Sequence, residues 1–81
     1  MTRLPRDLSG LELVKRLRVL GYVNTRQESS HLTCTTTEHG EHHVYVPNHR
    51  PIKIGTLQAV LKDVALHFGV RVDELLALLR L

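Results

Sequence analysis

Apolar residues recur at Leu13, Val14, Leu17 and Leu20, the three- and four-residue spacing of a helix that buries one face. Just ahead, Leu8-Ser9-Gly10-Leu11-Glu12 carries the signals of a helix start. Ser9 is placed to accept from the amide three residues on, Glu12 to reach back to the Ser9 amide, and Leu8 to staple against Leu13. Gly21 follows the last apolar position and supplies the left-handed residue that stops the helix.

Between Tyr22 and Val46 the period falls to two and β-branched residues become frequent. Breaks at Glu28-Ser29-Ser30 and at Thr37-Glu38-His39-Gly40-Glu41 divide the stretch into a three-stranded meander. In the second strand Leu32 and Cys34 alternate with His31, Thr33 and Thr35; in the third, Val44 and Val46 alternate with His43 and Tyr45. One sheet face is therefore apolar and the other polar. Pro47-Asn48-His49-Arg50-Pro51 is predicted as a loop, because both prolines lack the amide donor a ladder needs. After it, Gly55-Thr56 opens the stripe Leu57, Val60, Leu61, Val64, Ala65 and Phe68, a second long helix closed by Gly69. The tail from Val72 to Leu79 has acids at its start and a run of leucines, which predicts a short third helix covering either residual apolar surface or a partner.

The expected fold class is α+β: helix, three-stranded antiparallel meander, helix, then a short C-terminal helix, with the long helices on the sheet's apolar face. In element order this resembles a double-stranded RNA-binding domain, a likeness of fold more than of function. Eighty-one residues leave room for one core, so residues 1–81 read as a single domain, with a main body of about 8–68 and a helical extension of about 70–81. Eleven Lys and Arg against eight Asp and Glu give a net charge of +3, which favours a polyanionic partner only weakly, so individual sites must carry the argument. The one cysteine, Cys34, has no internal disulfide partner and reads as a small buried residue in a reducing cytoplasm. Residues 1–10 hold no apolar run of signal-peptide length, and no stretch of about 18 apolar residues is present to span a bilayer, so no membrane association is expected.

Several short pieces then fall into a recognisable order: Gly21-Tyr22, Arg26-Gln27, Ser30-His31, Val46-Pro47-Asn48-His49, and Gly55-Thr56-Leu57 with Val60-Leu61. In order and spacing, from about Leu8 to Asp63, the chain resembles the HicA-like toxins, small ribonucleases of bacterial toxin-antitoxin pairs. The resemblance implies an mRNA endonuclease that needs no metal and no small-molecule cofactor, held in check by a HicB-like antitoxin protein. It also implies that the working residue is the histidine of a Gly-Ser-His motif at the start of the second strand, which falls on His31. The chain departs from that motif at Ser29, where glycine is usual and would let the backbone approach a phosphate or adopt positive φ. The departure keeps open a second reading, a non-catalytic RNA-binding module of the same fold.

The residue chemistry agrees with a role for His31. RNA carries its own nucleophile in the 2′-hydroxyl, so a catalyst has only to move protons and stabilise charge on the phosphorane. Histidine exists in both protonation states near neutrality and suits this task. Ser29 and Ser30 offer hydroxyls and amides for a non-bridging phosphate oxygen. The motif lacks an obvious second proton carrier; His49 is the first candidate, against its reading as a loop residue that fastens strand to helix, and Lys53 and Arg26 are candidate charge stabilisers. Lys15, Arg16, Arg50 and Lys62 read either as phosphate contacts or as a solvated charged face. Tyr45 is the one aromatic suited to stacking on a base. His39, His42 and His43 raise a metal site, but no cysteine pair or carboxylate completes it, and the neighbours His42 and His43 would point to opposite faces of a strand; no metal site is expected. A pure protein-interaction module using the leucine-rich tail is the third reading.

Overall fold

The computed structural model describes residues 3–28 and 30–81. Helix α1 (Gly10–Leu17) runs into a 3₁₀ turn (Arg18–Leu20) and is followed by β1 (Val23–Gln27), β2 (His31–Thr36), β3 (His42–Pro47), α2 (Ile54–Phe68) and α3 (Val72–Leu79), the expected α+β order. Ser9 caps α1, its Oγ accepting from the Glu12 amide at 3.1 Å. Glu12 does not turn back to complete the predicted capping box. Its carboxylate instead accepts from Arg16, one turn on, at 3.4 Å, the favourable i,i+4 arrangement of acid before base. Gly21 ends the 3₁₀ turn at φ 86°, and a side chain there would also press on Glu38 and Thr36.

The three strands form one antiparallel sheet in the order β1-β2-β3. Inner positions Leu32, Cys34 and Thr36 of β2 and Val44 and Val46 of β3 are buried, while the intervening side chains face outward. The alternation expected for these two strands is the one observed. Strand β1 is exposed along its whole length, and Tyr22, just ahead of it, fills the core in its place. A bulge between Asn24 and Arg26 gives β1 one residue more than β2 opposes, and from there Arg26 pairs with Thr33 and Gln27 with Leu32. Pro47, predicted as loop, is in fact the last residue of β3, opposite His31. At the end of an edge strand a missing amide donor interrupts no ladder, which is why proline is accommodated there.

Both long helices pack on the inner face, with Leu13 and Leu17 of α1 and Leu57, Leu61 and Val64 of α2 meeting Leu32, Val44 and Val46 in one cluster. Helix α3 joins that cluster through Leu75, Leu76 and Leu79, leaving Leu78 exposed. The leucine-rich tail thus covers the chain's own apolar surface. Arg16 adds a polar tie between the ends of the fold by donating to the Arg80 carbonyl at 3.3 Å. Thr36, a buried polar side chain in the core, donates to the Leu20 carbonyl at 2.8 Å and accepts from the Glu38 amide at 3.1 Å. No helix among the described residues is long and apolar enough to cross a membrane.

The start of α1 is fastened to the chain leaving β3. The Gly10 amide donates to the His49 carbonyl at 3.0 Å, the Ile52 amide to the Leu8 carbonyl at 2.8 Å, and the Asn48 amide to the Ser30 carbonyl at 3.0 Å. A Cβ on Gly10 would collide with the Pro47 carbonyl, so this approach depends on glycine. These bonds hold the Pro47 end of the sheet, and with it the start of β2, against the helical layer.

Candidate active site

Strand alternation places His31, Thr33 and Thr35 of β2 beside His43 and Tyr45 of β3 on the outer sheet face, with no helix over them. His31 is exposed at the head of β2, and its Nδ1 lies 3.0 Å from the Ser30 hydroxyl, while Nε2 makes no hydrogen bond among the described residues. Thr33 sits in the middle of the next row, flanked by Arg26 on β1 and Tyr45 on β3. Tyr45 is 65% exposed, its ring lying open on the surface. Together Glu28, His31, Thr33 and Tyr45 line a hollow of about 240 Å³.

The sequence places Glu28 in the break between β1 and β2. Its amide donates to the His31 carbonyl at 2.9 Å, continuing the pairing of Gln27 with Leu32. Directly opposed residues of an antiparallel pair put their side chains on the same face, so the carboxylate and the imidazole share the hollow. The Arg26 guanidinium lies 3.6 Å from the Glu28 carboxylate. The available signal was distance in sequence: a carboxylate three residues before a histidine, across a tight strand connection, is its cross-strand neighbour.

The remaining sequence candidates are dispersed. Ser29 lies outside the described residues. His49 is exposed in the loop after β3, where its carbonyl holds the Gly10 amide, and neither it nor Lys53, at the N-terminus of α2, lines the hollow that contains His31. Arg50 is exposed in the same loop. Lys15 and Arg16 lie on α1 and Lys62 on α2, in the layer behind the sheet. Lys62 helps to line a separate open hollow of about 1000 Å³, in which Arg3 and Arg6 join it around Leu4, Ile54 and Val72.

His42 and His43 point to opposite sides of β3, as their adjacency requires. On the outer face, His43 Nδ1 is 2.7 Å from the Thr35 hydroxyl and Nε2 is 3.0 Å from Glu41. On the inner edge, His42 Nδ1 is 2.7 Å from the Tyr22 hydroxyl, Nε2 is 3.2 Å from Asp63, and the ring stacks on His67 with centroids 4.3 Å apart. Burial, reinforced by Asp63 and Cys34, pushes the Tyr22 phenol well above its usual range. Burial likewise raises the Cys34 thiol, against a smaller pull from Arg18, so the thiol stays protonated in the core. Among the described residues no group of three or more His, Cys, Asp or Glu is arranged to hold a metal ion.

The family model described as HicA toxin of bacterial toxin-antitoxin matches residues 10–66, from the first residue of α1 into the last turn of α2. The match takes in the whole sheet and every residue of the hollow around His31. Neither the curated proteins nor the solved structures contained a match to the chain.

Proposed function

The chain belongs to the family of HicA toxins of bacterial toxin-antitoxin pairs, and on that premise we propose that it is an endoribonuclease that cuts mRNA in the cytoplasm by proton transfer through His31. The observation that carries this reading is the exposed imidazole at the head of β2, set by Ser30 on an open sheet face beside a hollow. The 2′-hydroxyl of RNA supplies the nucleophile, so the chemistry requires positioned proton carriers and no metal. Arg26 stands ready for a phosphate, and Tyr45 offers a ring on which a neighbouring base stacks. A HicB-like antitoxin neutralises the enzyme by covering the same outer face.

Purified protein is expected to cut RNA in EDTA, and His31→Ala to lower the rate by about 10²- to 10⁴-fold, the usual contribution of a positioned acid or base. The melting temperature of that variant should be unchanged, because the side chain is exposed. Undiminished cleavage by His31→Ala would remove the imidazole from the mechanism. Ser29, in place of the family's glycine, carries the alternative of a non-catalytic RNA-binding module. That alternative predicts salt-sensitive RNA binding with intact RNA after long incubation, and gain of cleavage in Ser29→Gly would mark it as a disabled enzyme.

A further inference from the structure

Cleavage of RNA by its own 2′-hydroxyl needs one proton removed from O2′ and another delivered to O5′, on opposite sides of the phosphorus. One imidazole cannot do both in a single in-line step. The second group must therefore flank the same phosphate, and His49 and Lys53 lie outside the hollow in which His31 stands. Besides His31, the titratable side chains lining that hollow are Glu28 and Tyr45; Glu28 directly opposes His31, its amide donating to the His31 carbonyl at 2.9 Å, whereas Tyr45 lies one row further on, opposite Thr33. The Arg26 guanidinium lies 3.6 Å from the carboxylate, and the Ser30 hydroxyl 3.0 Å from Nδ1 of the imidazole.

We propose that Glu28 is the second catalytic residue, the base that works with His31 as the acid; the assignment rests on the ribonuclease reading given above. The O2′–H bond breaks and its proton passes to a carboxylate oxygen of Glu28, while O2′ bonds to phosphorus. The P–O5′ bond breaks, and O5′ takes the proton from Nε2 of the His31 imidazolium. The products are a 2′,3′-cyclic phosphate and a 5′-hydroxyl end, with no further reactant consumed. Arg26 serves as a positioning residue that aims the carboxylate.

The test is the pH profile of single-turnover cleavage of an end-labelled oligoribonucleotide by wild type, Glu28→Gln and His31→Ala. Because the base must be deprotonated and the acid protonated, the wild-type rate should fall on both sides of a maximum. Glu28→Gln should lose about 10²-fold or more at that maximum and lose the acidic limb, while keeping the wild-type melting temperature and binding a 2′-deoxy analogue of the substrate at least as tightly. A Glu28→Gln enzyme within a few-fold of wild type, or one that retains the acidic limb, overturns the assignment of Glu28 and leaves His31 in place. Absence of cleavage by the wild type overturns the ribonuclease reading, and Glu28's role with it.

Discussion

Replacing Gly10 with alanine should weaken the protein even though the position is helical. Alanine outranks glycine in a helix interior by about 1 kcal/mol, and by less at a first residue, so propensity alone predicts a small gain. Against this, the new methyl would run into the Pro47 carbonyl and press on Pro47 C and Asn48 Cα, 3.1 and 3.2 Å away. All three are backbone atoms that no rotamer change can move aside. Relief requires α1 and the end of β3 to separate, which gives up the bond from the Gly10 amide to the His49 carbonyl, about 1 kcal/mol net. Overpacking of this kind costs roughly 1–3 kcal/mol, so the net loss should be about 2 kcal/mol. For a domain of this size that is a fall of roughly 8–16 °C in melting temperature. Gly55→Ala supplies the contrast. A Cβ at Gly55 meets nothing within 4 Å, so the propensity term acts alone and stability should rise by up to about 1 kcal/mol. Urea unfolding followed by far-ultraviolet circular dichroism measures both. A Gly10→Ala variant as stable as wild type, or shifted in the same direction as Gly55→Ala, would refute the close approach of α1 to β3.

Two further outcomes follow from the core. Leu75→Ala should cost about 3 kcal/mol in the same assay, because Leu75 is fully buried, whereas Leu78→Ala, half exposed on the same helix, should cost under about 1 kcal/mol; equal effects would mean that α3 is not part of the core. Tyr22→Phe should lose about 1 kcal/mol near neutrality with its bond to His42, and should also flatten the alkaline loss of stability. The folded phenol holds its proton to higher pH than the unfolded one, whose value is about 10. The unfolded state therefore releases protons first, and wild-type stability must fall as pH rises past that value. Urea unfolding from pH 8 to 11 should show a shallower slope for Tyr22→Phe, with the part due to Cys34 remaining.

What could be read from the sequence was whatever depends on local period and local chemistry. The 3.6-residue stripe of α2, the alternation of β2 and β3, the Ser9 cap and the Gly21 stop are all settled by near neighbours. The departures come from contacts between distant parts. Glu12 faces a competing cation in Arg16, and Arg16 in turn finds a carbonyl 64 residues away at Arg80. Pro47 is strand because β3 happens to be an edge. Glu28 reads as part of a turn in the sequence because its place opposite His31 depends on strand register, which is set by the sheet as a whole. The outward position of His31 was legible in the alternation of β2, whereas the dispersal of Lys15, Arg16 and Lys62 behind the sheet required the layers to be assembled.

The bulge in β1 makes one position of that strand dispensable in length while its neighbours are not. Loss of the codon for Thr25 would remove the contacts of its hydroxyl with Thr33 and Thr35 and straighten the ribbon, with Asn24 still beside Cys34 and Arg26 still beside Thr33. Loss of the codon for Gln27 would instead bring Glu28 opposite Leu32 and turn its carboxylate to the other face of the sheet, away from His31. On the proposed roles of His31 and Glu28, natural variants that lack the residue at Thr25 should therefore keep RNA cleavage, and those that lack the residue at Gln27 should lose it.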